Sequence, residues 1–236
     1  MALPIVNAPR YKTEIPSTGA KIEYRPYVVK EEKILMIALE TKDNKQIMSA
    51  MKDVISACVH TDIDVDSLAS FDIEWLFLKL RAKSVGEKVD VRLKCEDSDC
   101  KSLTDVSVNL DDIEIQSPDK DNTIRLTEEI GVVMRYPSVT ILQKYSEEEL
   151  SKAEGAFAMI ADCIDTIYDE DNVYDCAKET KEDVNNFLDN LSADQFVKIT
   201  KWFEDMPSIE KVIDYKCVKC ERDNRIELRG IQSFFT

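Results

Sequence analysis

The sequence predicts an α+β protein, a helical body with a small β module inserted into it, and three observations carry that expectation. Apolar residues recur at three- and four-residue spacing through 31–84 and 138–206, as on helices. They alternate with polar residues through much of 87–137 and 209–232, as on half-buried strands. Two close cysteine pairs fall in turns between such strands, a pattern of the zinc-ribbon type that would close the β module with four sulfurs. An extended arm over 1–30 completes the partition. Because the two β stretches come from distant parts of the chain, the protein is expected to fold as a single cooperative unit.

Taken in order, residues 1–30 hold Pro4, Pro9, Pro16 and Pro26, each removing a backbone donor and biasing its predecessor toward extended geometry. EEKILMIALET is helix-like, and in the next helix Ile47, Met51, Val54, Ile55 and Cys58 form one apolar stripe. SLASFDIEWLFLKLRAK carries Leu68, Phe71, Trp75 and Leu78 on one side and Ile73, Phe77 and Leu80 over much of the other. A helix apolar nearly all round is expected to be the central buried one. Gly86 ends it, and EKVDVRLK alternates Val89, Val91 and Leu93 with polar residues. KSLTDVSVNL, TIRL and GVVMRYP continue the strand character. Helices resume at Ser146 with capping-box spacing, and Phe157, Ile160, Ile164 and Ile167 make a helical stripe reaching Tyr168. Thr180 with Asp183, and Ser192 with Gln195, mark two further helix starts before Pro207. IEKVIDYKCVKCERDNRIELRG then reads as two strands joined through a cysteine-bearing turn.

Length and composition bound the function. The 236 residues are 44% apolar and 33% charged, enough for a sizeable core. Acidic side chains outnumber basic ones 47 to 31, for a net charge of −16, which repels polyphosphate and argues against nucleic-acid binding. No apolar run approaches the ~20 residues of a membrane span. Pro4 and Pro9 interrupt the stretch where a secretory signal would have its apolar core, so the protein is expected to stay in the compartment where it is made. Five glycines and the lack of a P-loop, a G-x-G-x-x-G or a G-x-S-x-G segment give no support to an enzyme.

The chemistry-bearing signal is the cysteine set. Cys95 and Cys100 bound the turn CEDSDC, and Cys217 and Cys220 bound CVKC. Two short turns can aim four thiolates at one point, the donor set that tetrahedral zinc prefers, with disulfides and unpaired thiols as the competing accounts. Four thiolates close the shell, so a structural Zn2+ is expected rather than a catalytic one, which would need an open position. Cys58 and Cys163 read as small buried hydrophobes and Cys176 as an unpaired thiol. His60 reads as a helix-terminal surface group. The acidic run 165–175 fails as a calcium loop: framed from Asp169, Tyr174 stands where Gly is needed and Thr180 where a bidentate Glu is needed, so a solvated loop ending a helix is expected. Asp72 and Glu74 point about 200° apart on a helix and are expected to pair with Lys79 or Arg81 instead of sharing a cleft.

IPSTGAKIEYRPYVVKEEKILMIALE, FDIEWLFLKLRAKSVGE, MRYPSV and CVKCERDNRIELRGIQSFF, in that order and spacing, resemble the baseplate hub and hub-assembly protein family of T-even-type contractile-tail bacteriophages. The resemblance runs from about Ile15 onward and is weakest through 165–195. It implies a morphogenesis protein that builds the central hub of the tail baseplate through protein contacts, as chaperone or hub subunit, without catalysis. Hub and tape-measure proteins are the implied partners. The implied location is the host cytoplasm during assembly, with the virion baseplate left open. The competing class is a zinc-dependent hydrolase or deaminase, which the lack of an H-x-E segment counts against. Binding of this kind needs exposed apolar anchors, and the candidates are Tyr24, Tyr27 and Val28 in the arm and Phe234 and Phe235 near the C-terminus. The competing account of these residues is that arm and tail cover the protein's own core.

Overall fold

A computed structural model of the chain describes residues 8–41, 43–116 and 121–234. The described residues form an α+β structure of eight α-helices and small antiparallel sheets. In chain order these are β1 (Tyr11–Glu14), β2 (Lys21–Tyr24), α1 (Val29–Thr41), α2 (Asn44–Cys58), α3 (Ser70–Ser84), β3 (Lys88–Lys94), β4 (Leu103–Asn109), β5 (Glu114–Gln116), β6 (Thr123–Arg125) and β7 (Gly131–Met134). There follow α4 (Val139–Lys144), α5 (Glu147–Leu150), α6 (Ala153–Asp162), β8 (Ile164–Tyr168), β9 (Val173–Asp175), α7 (Lys181–Asp189), α8 (Ala193–Glu204), β10 (Ser208–Lys216) and β11 (Asp223–Arg229).

The chain divides into two compact units. Met1–Pro118 and Pro207–Thr236 make the first, and Asp119–Met206 makes the second. This differs from the partition read from sequence. The β stretches do not form one module: β3 pairs with β4, β5 joins β10 and β11, and β6 and β7 pair with β8 and β9 inside the second unit. The helical stretch 138–206 belongs with that second sheet and not with the helices of 31–84.

The first unit is built around α3. Its apolar residues leave no polar face, so Phe71, Ile73, Leu76, Phe77, Leu78 and Leu80 are all buried, against neighbours that include α2, β10 and the 3-10 turns at Leu110–Asp112 and Ile231–Phe234. Each fully buried aliphatic side chain contributes about 1.5–3 kcal/mol by removal from water. The arm is extended as expected, but it is paired: β1 and β2 form a hairpin turned at Gly19, where φ is +67°, and Ile22 and Tyr24 point into the core.

Buried and half-buried carboxylates tie these pieces together, and here the expected ion pairs do not form. Asp72 reaches back to the Ala69 N–H and accepts both the backbone N–H and the hydroxyl of Ser17, at 2.9 and 2.5 Å, clamping the hairpin turn onto the start of α3. Glu74 accepts the Ile231 N–H instead of a lysine or arginine, while Lys79 lies 3.9 Å from Asp111 and over the Trp75 ring. Glu31 bonds Arg25 at 2.8 Å and caps the Val28 N–H. Burial pushes its carboxyl upward, but these bonds outweigh that and hold it at about 2.

The second unit packs Val132, Met134, Ile160, Ile164, Ile199 and Trp202 into a separate core, with Tyr136 stacked on Trp202. The stripe expected to run helically to Tyr168 is broken. Helix α6 stops at Asp162, the Cys163 N–H closes it, and Ile164–Tyr168 leaves as strand β8 beside β7. The acidic run is therefore the β8–β9 hairpin and not a helix-ending loop, and Asp169 accepts the Asp171 and Asn172 N–H groups at its turn. Two glycines lie closer to their neighbours than a Cβ allows, Gly155 against backbone and Gly131 against the movable end of the Tyr168 side chain. A Cβ at Gly131 would lie 2.1 Å from the Tyr168 hydroxyl, and one at Gly155 would lie 2.2 Å from the Glu149 carbonyl. The expected helix starts hold: Ser146 and Glu149 form a capping box, as do Ser192 and Gln195, and Thr180 accepts from the Asp183 N–H.

Burial, partly offset by the Ile231 N–H, raises Glu74 to about 7 from an ordinary 4.5. The sign follows from the protonated form being favoured in the fold. The stability associated with this residue is fully present below about pH 4.5 and is lost as the pH rises through about 7. Glu74→Gln keeps an acceptor for Ile231 without the charge. It should raise stability at pH 8 by on the order of 1–3 kcal/mol and leave it unchanged at pH 4. Denaturant unfolding at the two pH values checks this, and a pH-independent effect would refute it.

Candidate metal centre

The centre is made of two hairpins. Strands β3 and β4 pair from Lys88↔Asn109 to Lys94↔Leu103; Cys95 follows the last pair directly, and Cys100 lies in the turn, three residues before Leu103. Strands β10 and β11 pair from Glu210↔Arg229 to Lys216↔Asp223 and end in the turn Cys217–Cys220. Alternation sets the strands' inward faces: Val91 and Leu93, and Ile213 and Tyr215, are buried while their neighbours in sequence point outward.

The two turns share a backbone design. The Cys95 N–H donates to the Ser102 carbonyl at 2.8 Å and the Cys217 N–H to the Arg222 carbonyl at 2.9 Å, each closing its loop. The residue after the second cysteine is left-handed in both, Lys101 at φ 48° and Glu221 at φ 58°. Asp97 stiffens the longer turn by accepting the Asp99 and Cys100 N–H groups.

Four sulfurs converge as a result, all within 4.8 Å of one another. Cys95 and Cys220 approach to 3.6 Å and Cys100 and Cys217 to 3.7 Å. A disulfide would need about 2.05 Å, whereas a tetrahedron of ~2.3 Å zinc–sulfur bonds has edges of about 3.8 Å. Cys95 and Cys217 are buried, Cys100 is partly covered and Cys220 faces solvent.

The electrostatics favour a cation at the centre of these sulfurs. Backbone N–H groups of Cys220 and Lys219 draw Cys217 down to about 6, so its thiolate forms readily. At Cys95 the Asp97 N–H acts in the same direction, but burial and the neighbouring thiols prevail and push it up to about 12. Cys100 is likewise raised. Four sulfurs this close cannot all ionise without a compensating positive charge, and a soft metal ion supplies one. The four sequence-selected cysteines are thus brought together as a set that could hold a metal ion.

Compared with known protein families, residues 8–236 match the model described as T4 bacteriophage base plate protein. The chain belongs to that family. No curated protein and no solved structure matches it.

In this base plate protein the other sequence-selected residues are not gathered into a surface. Tyr24, Tyr27 and Phe234 are buried, with Phe234 fully enclosed, which corrects the expectation that they stand exposed as anchors. Their physical role is to cover the first unit's core, through the inward face of β2 and the turn that follows β11. Val28 is exposed, and Phe235 lies outside the described residues. Cys58 and Cys163 are buried thiols, pushed by burial to about 11 and about 12, and Cys176 is half-buried in the second unit. Of the exposed apolar residues, several gather on α1, where Val29, Met36 and Ile37 are 75%, 58% and 62% exposed. Its sequence signal is the unbroken apolar run of residues 34–39, which covers more sides of a helix than one packed face uses.

Left-handed backbone costs a side-chain-bearing residue roughly 1–2 kcal/mol, which glycine avoids. Lys101→Gly and Glu221→Gly should therefore each stabilise the base plate protein, by up to about 1 kcal/mol after the added freedom of the unfolded chain. Thermal unfolding of the two variants checks this, and a loss of stability in both would show that the side chains do more than tolerate the turn.

Proposed function

We propose that the protein takes part in building the central hub of the tail baseplate, by binding other hub components or the tape-measure protein and without catalysis. The observation that carries this reading is the family match over residues 8–236, joined to the sequence resemblance to hub and hub-assembly proteins. Family membership makes other baseplate proteins the partners, and no described helix is long and apolar enough to cross a membrane. Assembly in the infected host cell follows from the same membership.

Helix α1 supports a binding role. Besides Val29, Met36 and Ile37 it exposes Ile34 and Leu39, and a groove of about 300 Å³ runs beside it, lined by Leu35, Leu39, Met51, Phe77 and Val85 among others. Apolar side chains gathered on one helix mark a contact surface, and the methionines adapt to the shape of a bound partner. The occupant in this reading is another baseplate component. A net charge of −16 keeps copies of this chain apart and leaves affinity to local apolar anchors.

The metal in this reading is one structural Zn2+ per chain on Cys95, Cys100, Cys217 and Cys220. Donor type, number and spacing all fit it, and its chemistry is crosslinking by four thiolate bonds. Elemental analysis of protein purified without chelator should give one zinc per chain. Cys217→Ser should lose it and lower the stability of the first unit by several kcal/mol, on the scale of a removed structural metal. Metal-free protein with four freely reactive thiols would overturn the assignment.

The hub role is tested in infected cells. In phage lacking this protein, tails should fail at the hub. Complementation with Met36→Lys and Ile37→Glu together should give folded protein that does not restore assembly. Normal tails without the protein would refute the role, and full rescue by the doubly charged α1 would refute the contact surface.

A further inference from the structure

Four polar side chains are buried among those described, and two of them, Thr104 and Asn224, sit beside the sulfur cluster. They occupy corresponding places. Thr104 is the fourth residue after Cys100, and Asn224 is the fourth after Cys220. Each reaches across to the other hairpin and binds the same backbone group. The Thr104 hydroxyl accepts the N–H of Val218, the residue after Cys217. The Asn224 carboxamide oxygen accepts the N–H of Glu96, the residue after Cys95, at 2.9 Å.

The Asn224 side chain goes further. Its Nδ2 donates to the Arg222 carbonyl, which already accepts the Cys217 N–H, and its Oδ1 lies 3.6 Å from the Cys95 sulfur. One carboxamide thus connects the backbone at both leading cysteines. Its two bonds also fix which end is oxygen, because a backbone N–H requires an acceptor and a carbonyl requires a donor. A third cross-link, from the Tyr215 hydroxyl to the Lys94 carbonyl at 2.6 Å, holds the strand ends together just before the turns.

We propose that Thr104 and Asn224 are a reciprocal pair of positioning residues, each hairpin supplying the side chain that orients the leading cysteine of the other. None of their bonds involves a metal, so they can form whether or not an ion is bound. The inference rests on the metal reading of the cysteine cluster. Supporting bonds of this kind fix ligand orientation, and their loss typically weakens metal binding 10–100-fold.

Cobalt(II) is the probe, since a tetrahedral thiolate site gives it sulfur-to-metal charge-transfer and visible ligand-field bands. Full-length wild type, Thr104→Val, Asn224→Ala and Thr104→Ser are titrated with cobalt against a competing chelator, with circular dichroism as the check of folding. Thr104→Val and Asn224→Ala should each weaken cobalt binding about tenfold or more and shift the visible bands. Thr104→Ser, which keeps the hydroxyl, should bind like wild type. If Asn224→Ala does not fold, the isosteric Thr104→Val set against Thr104→Ser decides the matter. Wild-type affinity and spectrum in both Thr104→Val and Asn224→Ala would overturn the positioning role while leaving the metal centre intact. If wild type itself gives no tetrahedral thiolate spectrum, the metal reading fails and the positioning role falls with it.

Discussion

The convergence of four sulfurs from two distant hairpins is the constraint on which the first unit depends. Cys100 and Cys217 lie 117 positions apart and touch at 3.7 Å. To bring them together, β10 must run beside β5 on one edge and β11 on the other, carrying Cys217 to the end of the sheet. The same course buries Ile209 and Ile213 and leads into the turn that encloses Ile231 and Phe234. Loop closure over such a length is costly in entropy, and it is compensated by burial and polar pairing at the strand ends as well as by the sulfurs themselves.

Helix α3 shows how an element apolar on nearly every side still acquires orientation. Burial alone is non-directional, so Leu76, Leu78 and Leu80 would be satisfied by many rotations of the helix. Asp72 and Glu74 remove that freedom. One is tied to the N-terminal hairpin through Ser17 and the other to the last turn through the Ile231 N–H. Two carboxylates that point to different sides of one helix thereby hold the two ends of the described chain to its centre. Glu74 does so in a site that disfavours its charge, so the arrangement gives specificity at some expense in stability.

Much of this was legible in the sequence because it rests on local signals. The stripe in α2, the all-round apolar α3, the capping pairs at Ser146 and Ser192, and the cysteine turns each declare themselves within a few residues. What was misread depends on pairing over distance. Ile164 and Ile167 have helical spacing with Phe157 and Ile160, yet I-D-T-I-Y is rich in β-branched residues, and β7 offered it a partner that sequence spacing does not reveal. Tyr24 reads as an anchor only while the arm is treated as extended chain without a strand partner, and β1 supplies one. The alternation of Ile22 and Tyr24 with Lys21 and Glu23 already carried the opposite message. Thr104 and Asn224 left no trace by type, since a lone Thr or Asn in a strand is ordinary; only the matching four-residue offset from each cysteine pair could have singled them out.

The division of the chain also sets an order of events during synthesis. The second unit, Asp119–Met206, is contiguous, so every residue it needs has been made before β10 begins. The first unit is split around it. While the ribosome is still building α7 and α8, the strand edge of β5, the sulfurs of Cys95 and Cys100 and the Glu74 carboxylate have no partners of their own to close upon. Closure of the first unit therefore waits on the last stretch of chain to be made, and until β10 and β11 arrive Cys95 and Cys100 lack the two sulfurs that complete their set.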